Sequence, residues 1–428
     1  MAKRGQLTLV IEKIINTGKS LARTGGKVVL TDQGIPGETV EVEVVKEKKT
    51  YIEAITRKIL SPSTQRVEPR CWHYRACSPY QSIDYRLQVK IKKEQINELF
   101  NRRLSFGGQV TFHAARDIWH YRNKIQLQVS YDNGRAQYAY HQPKDNISLV
   151  AVHRCFLASK AINNLLADLL RLIEENKINH IRQVAVRENS RGSRLLLVVY
   201  LDSLKNTGNI NRLCALDALT DGHKLSGIVA ADGKKERRII VGRDHIETIV
   251  NNIKLYSGAE SFFQVNTSML EVLIADLKSC LGRHYATIAD LYCGVGTFGL
   301  ILADLATEVV AIEANAEEMR LLKMNIRMNK RENFTIHLGR CEDLKDVLVD
   351  QPIELLIVDP PRKGLRIEMC KTIIKSEIPK MVYISCDPAT LVRDLGILAE
   401  TYCIDTASAY DFFPQTAHIE TMVILIRK

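Results

Sequence analysis

No run of about 18 apolar residues occurs in this 428-residue chain, which argues against a membrane-spanning helix. The opening Met1-Ala2-Lys3-Arg4-Gly5 leads into alternating, strand-like sequence and not into the apolar block of a secretory signal. No internal repeat or low-complexity tract stands out. The ten cysteines are scattered. Without a secretory signal they read as reduced thiols, metal ligands or a nucleophile, and not as a disulfide framework. A cytoplasmic protein with no membrane partner is expected.

Acidic charge is also short. Sixty Lys and Arg stand against 49 Asp and Glu, for a formal net charge of +11. That balance favours an anionic partner, nucleic acid being the common one, although a basic enzyme without such a partner would carry the same charge. Hydrophobic residues make up 46% and charged residues 25%. The length allows two or three domains with cores of their own.

Three regions follow from the pattern. Residues 1–61 hold short strand-like stretches at 10–14, 27–30 and 39–45, with turn signals at Gly25-Gly26 and Gly34-Ile35-Pro36-Gly37. About five strands in that space suit a small OB-like β-barrel, a fold that often binds single-stranded nucleic acid. A capping domain with no ligand would look the same. Ser61-Pro62-Ser63-Thr64 reads as the linker out. Residues 62–258 read as a mixed α/β middle region, with helices at 83–100 and 160–175 and strand patterns over 119–129 and 184–201. In 259–428 the apolar stretches 288–292, 309–313, 353–358 and 381–385 alternate with helical patterns at 298–305 and 316–328, and 422–426 closes the chain. Such alternation predicts a parallel, doubly wound, Rossmann-like sheet.

The chemistry lies where those strands end. Asp290-Leu291-Tyr292-Cys293-Gly294-Val295-Gly296 runs from a strand into a glycine turn, and open α/β sheets bind ligands at the carboxyl ends of strands. Glu313, at the end of the next strand, suits the two hydroxyls of a ribose. Gly294, Gly296 and Gly299 keep the spacing a dinucleotide fold uses, but the preceding residues favour S-adenosylmethionine. Asp359-Pro360-Pro361-Arg362-Lys363-Gly364 fixes a rigid turn with an acid at its head. One strand later, Tyr383-Ile384-Ser385-Cys386-Asp387-Pro388-Ala389 places a thiol between a strand and a helix expected from about Thr390. Glu420 follows in Phe413-Pro414-Gln415-Thr416-Ala417-His418-Ile419-Glu420. A thiolate, a carboxylate base and a methyl-donor loop suit methyl transfer to a pyrimidine carbon in RNA.

These motifs resemble those of the RNA 5-methyluridine (uracil-C5) methyltransferase family, specifically its larger members that act on 23S ribosomal RNA. The matching stretches are Trp119-His120-Tyr121-Arg122-Asn123-Lys124, Phe262-Phe263-Gln264-Val265-Asn266, the DLYCGVGTFG run from Asp290, DPPRKG from Asp359, SCDPATLVRD from Ser385 and DFFPQTAHIE from Asp411. Residues up to about 60 resemble the TRAM RNA-binding domain. The resemblance implies Cys386 as nucleophile and Glu420 as the base that takes the C5 proton. Gln264, Tyr292, Glu313 and Asp359 would hold S-adenosylmethionine. The RNA partner would be 23S rRNA, with tRNA as the alternative, and the target uridine would leave its stack. Cytosine-C5 methylation of RNA, and an RNA-binding protein without catalysis, are the rival readings.

The sequence departs from the family pattern in three places. Asp387 stands where asparagine usually follows the nucleophile, which predicts a raised thiol pKa unless Arg393 or a helix end compensates. Arg340-Cys341-Glu342 stands where the family holds an adenine partner, so none is named. The larger members hold an iron–sulfur cluster on four cysteines. Here Cys71, Cys77 and Cys155 fall at three of the four positions and Tyr80 at the other, an incomplete set.

Overall fold

The computed structural model describes residues 5–104, 106–132, 135–142, 145–205, 209–219, 224–233, 236–258 and 260–428, without the side chains of 145–147, 218 and 219. An eight-stranded sheet runs in the order Phe334–Leu338, Ala306–Glu313, Tyr285–Leu291, Leu355–Val358, Lys380–Ser385, Glu420–Arg427, Tyr402–Tyr410, Thr111–His113. The first five strands are parallel. All four residues of Leu355–Val358 are buried, as expected of a strand covered by helices on both faces.

Glu420–Arg427 is antiparallel to both of its neighbours, so the sheet is mixed and not wholly parallel. The reason is chain length: the 411–419 connection is shorter than the dozen or so residues a parallel crossover needs. Helix Thr267–Leu281 shows how the sequence builds one covering layer. Leu270, Leu273, Ile274, Leu277 and Leu281 recur on one helical face and are buried in the core. Asn266 caps its start by accepting from the Met269 N–H, and Gly282 ends it at φ +54°.

Helix Tyr85–Leu104 packs on the opposite face, where Ile96 and Phe100 share a core with Leu391 and Leu395. With strand Thr111–His113, the expected middle region therefore contributes two elements to the C-terminal sheet. The rest of that region forms a seven-stranded sheet, from Asp145–Ala151 at one edge to Arg237–Gly242 at the other. Helix Lys160–Glu175 covers it, its start capped by Ser159. The strand pattern over 184–201 is two antiparallel strands, Ile181–Glu188 and Arg194–Leu201. They are broken by a turn in which the Asn189 side chain accepts from the Ser193 N–H and Gly192 takes φ +65°. The pattern over 119–129 becomes a strand only from Lys124, because His120 adopts φ +57°.

The N-terminal sheet has six strands and closes on itself. Chain 6–14 pairs at its start with Thr39–Glu47 and at its end with Ser20–Thr24. Leu9, Ile11, Ala22, Val29, Val40, Val42, Ile52 and Ala54 fill the interior. The OB-like barrel expected from residues 1–61 is therefore present. Buried Glu38 accepts two bonds of 2.7 Å from Arg66 and one of 3.0 Å from the Ser63 N–H, which ties the outgoing chain to the barrel. No helix among the described residues is long and apolar enough to cross a membrane.

One buried ion pair joins the helix Tyr85–Leu104 to the 411–419 connection. Lys92 Nζ lies 2.6 Å from Asp411 Oδ1, both side chains 0% exposed, and donates also to the Phe413 carbonyl at 3.1 Å. Tyr85 Oη donates to Asp411 Oδ2 at 3.0 Å, and Gln88 exchanges two bonds with Gln415. Burial pushes the Lys92 pKa down against the pull of Asp411. Removing one partner strands the other charge in low dielectric. Lys92→Met is expected to cost about 3–5 kcal/mol in denaturant unfolding, and Lys92→Met/Asp411→Leu less than either single change. A single variant as stable as wild type would contradict this.

Candidate active site

Five strand ends of the C-terminal sheet meet at one cavity of about 630 Å³. Its walls include Gln264, Tyr292, Glu313, Asp359, Cys386 and Glu420, six positions singled out in the sequence. The strand register explains the meeting. Leu291 pairs with Val358 and Val358 with Tyr383, so Tyr292 and Asp359 leave the same edge of neighbouring strands. Ser385 pairs with Thr421 in the antiparallel ladder, which sets Cys386 opposite Glu420.

The glycine turn is shaped by steric need. Gly296 sits at φ +85°, and a Cβ there would overlap Leu322. At Gly299 a Cβ would crowd Asp290, whose Oδ2 accepts from the Gly299 N–H at 2.8 Å. Packing thus accounts for Gly296 and Gly299, whereas a Cβ at Gly294 would meet no neighbour and glycine is favoured there by its φ of +55°. Glu313 accepts from the Gly294 N–H at 2.9 Å through one oxygen and from the Asn315 N–H at 2.7 Å through the other. Each oxygen keeps a lone pair for a further donor. Tyr292, at φ +58°, donates through Oη to Glu342 at 3.3 Å.

Segment 262–266 is held from two sides. The Asn123 N–H donates to the Val265 carbonyl at 2.9 Å and the Asn123 side chain to the Gln264 carbonyl at 3.1 Å. The Asn266 side chain donates to the Phe412 carbonyl, and Tyr121 Oη to the Pro414 carbonyl, both at 3.1 Å. Three stretches far apart in sequence are locked together around the cavity.

The cavity is acidic. Burial, helped by Asp359, pushes the Glu420 carboxyl well above its usual range, and Arg362 opposes the shift. Asp359 and Asp290 are each pushed up to about 7, chiefly by burial. The Cys386 thiol is pushed up to about 12 by burial, then Glu420, then Asp359, again against Arg362. Asp387 contributes least to that rise, because its carboxylate accepts from the Ala389 and Thr390 N–H groups at 2.9 and 3.1 Å. It is the cap of helix Pro388–Leu398, which begins two residues before the expected start. Arg393 does not compensate it; that guanidinium pairs with Asp394 and the carbonyls of Lys363 and Leu365.

Sequence reasoning did not single out Arg122, Arg362, Glu318, Asn315 and His418, which also line the cavity. Arg122, Arg362 and His418 lie inside motifs already recognised, so position within a motif was the available signal. Burial pushes His418 down to about 4, with Arg362 adding to the shift, which leaves its imidazole neutral. A second cavity, about 640 Å³, shares Tyr292, Glu313 and Pro361 with the first and continues past Arg340, Cys341 and Glu342.

The donor set suits S-adenosylmethionine. Glu313 keeps acceptor capacity for hydroxyls, and the buried oxygens Glu420 Oε1, Glu318 Oε2 and Asp290 Oδ1 have no partner. Buried acids without partners favour a ligand that brings donors and positive charge. An iron–sulfur cluster is a different matter. Cys71 and Cys77 lie 3.8 and 3.5 Å from His73 Nδ1, and Cys155 is close enough to act on both thiols. Tyr80, at the remaining position, is 1% exposed and packs in a separate cluster with Ile14, Ile35, Ile83, Leu87 and Ile91. The set therefore does not offer four thiolates. Among the described residues no group of three or more His, Cys, Asp or Glu is arranged to hold a metal ion.

Comparison with known proteins agrees with this geometry. The sequence model of the family described as tRNA (Uracil-5-)-methyltransferase matches residues 84–428. An uncharacterized RNA methyltransferase of Synechocystis is 30% identical, over 97% of this chain and 95% of its own length. One of Clostridium acetobutylicum is 28% identical, over 99% and 98%. Among solved structures, the Pyrococcus abyssi tRNA (uracil-54, C5)-methyltransferase in complex with S-adenosyl-L-homocysteine superposes with a TM-score of 0.77 at 22% identity, covering 98% of this chain and all of that one. The chain belongs to the tRNA (uracil-5-)-methyltransferase family and is an S-adenosylmethionine-dependent RNA uracil-C5 methyltransferase.

Proposed function

We propose that the protein methylates C5 of a uridine in 23S ribosomal RNA, with Cys386 as nucleophile and Glu420 as base. The observation that carries this reading is one strand register setting a thiol opposite a buried carboxyl, in a cavity that also holds Gln264, Tyr292, Glu313 and Asp359. S-adenosylmethionine, when bound, supplies an electrophilic methyl group on a positively charged sulfonium. Glu313 would accept from the ribose hydroxyls of this ligand, and Asp359 would offset its charge. Tyr292 forms part of the wall toward the second cavity.

Uracil C5 is too weak a nucleophile to take a methyl group unaided. Burial and the neighbouring acids favour the neutral Cys386 thiol, whereas Arg362 and a cationic ligand favour the thiolate, which forms by release of the proton to solvent. Sγ then bonds to C6, and the C5=C6 electrons move onto the C4 carbonyl oxygen. The resulting enolate carbon, C5, forms the bond to methyl as the methyl–sulfonium bond breaks, its electron pair staying on the sulfur of the departing S-adenosylhomocysteine. Glu420 removes the remaining C5 proton, the C5=C6 bond re-forms, and the thiolate leaves. Arg122 and Arg362 supply positive charge toward the phosphates of the extruded nucleotide.

Transfer RNA is a second reading. The Pyrococcus abyssi tRNA enzyme covers 98% of this chain, so the N-terminal barrel does not by itself mark an rRNA enzyme. The test is methyl transfer to undermodified ribosomal and transfer RNA carrying tritium at uracil C5. Wild type is expected to release tritium and form 5-methyluridine in rRNA. Cys386→Ala is expected to lose at least about 10³-fold of the rate, and Glu420→Gln to slow release by about 10²–10⁴-fold. Product in tRNA alone overturns the rRNA assignment. Full activity of Cys386→Ala overturns the thiolate mechanism.

Donor affinity carries a pH signature. Asp359, with its pKa pushed up to about 7, is protonated below that pH and ionised above it. A cationic ligand prefers the ionised form, so affinity for S-adenosylmethionine is expected to rise with pH through about 7 and then level off. Asp359→Asn should bind more weakly and with a flat profile. A wild-type affinity constant from pH 6 to 8 would count against this role.

A further inference from the structure

The chain has only two tryptophans, Trp72 and Trp119; Trp72 lies outside every core, and Trp119 packs against the edge of the middle-region core. Trp72 is 60% exposed, and Trp119 is half-buried with the Arg70 guanidinium 4.4 Å above its ring. They belong to one continuous band. The Trp72 and His73 rings meet edge to face at 6.1 Å. His73 Nε2 lies 3.1 Å from the Arg154 carbonyl, and the Arg154 guanidinium lies 5.5 Å from the Phe156 ring centre. Phe156 in turn lies 6.1 Å from His120, the residue after Trp119. A surface groove of about 410 Å³ runs beside the band, lined by Arg70 and Trp72 among others.

Many guanidinium groups elsewhere on the surface are paired. Arg57, Arg66, Arg182, Arg320, Arg331 and Arg393 each pair with a carboxylate. Arg70 and Arg154 are exposed and stack on aromatic rings; no ion pair joins either to another described residue. One exposed indole and half-buried aromatic rings, set among guanidinium groups with no carboxylate partner among the described residues, match the chemistry of single-stranded nucleic acid, where bases stack and phosphates need neutralising. The band also leads to the reaction site. His120 and Arg122 donate backbone bonds to Phe156 and Leu157, both at 2.9 Å, and Arg122 lines the catalytic cavity. Trp119 and Arg122 are three positions apart, at most about 11 Å of chain. At the other end, Tyr74 Oη bonds to Gln33 of the barrel at 3.2 Å.

We propose that this band is a track for the single-stranded RNA flanking the target uridine, with Trp72 stacking on a base and Arg70 and Arg154 neutralising the adjoining phosphates. It rests on the reading of RNA as substrate, and it adds a contact surface outside the cavity. Trp72 carries no buried contact that folding requires, so its variants remain testable.

The experiment uses the full chain and the RNA that wild type methylates. In Trp119→Phe protein, Trp72 is the sole tryptophan, and its fluorescence is expected to be quenched as that RNA binds. Trp72→Ala is expected to raise KM for RNA by about tenfold, with kcat and donor KM unchanged and Trp72→Phe close to wild type. Arg154→Ala should raise the same KM and lower the salt dependence of binding by about one phosphate contact. A KM within twofold of wild type for Trp72→Ala, with no quench, overturns the track while leaving the methyltransferase reading intact. Sedimentation in which Trp72→Ala dissolves a dimer without changing RNA binding overturns it in favour of a second copy on this face. If wild type binds and methylates no RNA, both readings fall.

Discussion

The antiparallel register that sets Ser385 against Thr421 brings a half-buried thiol and a buried carboxyl together. The low dielectric makes each group's charge costly and makes the groups feel one another strongly. Glu420 and Asp359 are both pushed up, and so is the Cys386 thiol. Arg362 is the resident cation that opposes these shifts at Glu420 and Cys386. In the mechanism proposed above, a positively charged ligand acts in the same direction as Arg362 and favours the thiolate.

Such a site needs rigid walls, and the fold supplies them from outside the sheet. Lys92 and Asp411, buried without exposure, fix the connection that delivers Glu420. Asp394, also buried, accepts from Tyr383 Oη at 2.6 Å and from the Leu365 N–H at 2.8 Å. It thereby fastens the Asp359–Gly364 turn to the strand that carries Cys386. Segment 262–266 is held by Asn123 and Asn266. Three polar clamps of this kind position groups from distant parts of the chain, which hydrophobic packing alone does with less directional precision.

How much of this was legible in the sequence depended on range. Strand ends at Glu313, Asp359 and Cys386 were readable because apolar runs with period and glycine or proline punctuation are local signals. The helix start at Pro388 was missed by two residues because Asp387 was read as a charge and not as a cap. The placement of Thr111–His113 at the far edge was not readable, since register between distant segments leaves no local trace. The same limit hid Glu318 as a cavity residue. Tyr80 marked a missing thiolate in sequence, but only its burial among Ile14, Ile35, Ile83, Leu87 and Ile91 gives it a position of its own in the fold.

The most direct test of the central claim is mass spectrometry of the protein after reaction with S-adenosylmethionine and RNA containing 5-fluorouridine. Fluorine at C5 cannot leave as a proton does, so elimination is blocked and the nucleotide stays attached. The account predicts a methylated nucleotide bound covalently to the peptide carrying Cys386, among ten cysteines in the chain. An adduct on any other residue, or methylation that proceeds with no adduct, would contradict it.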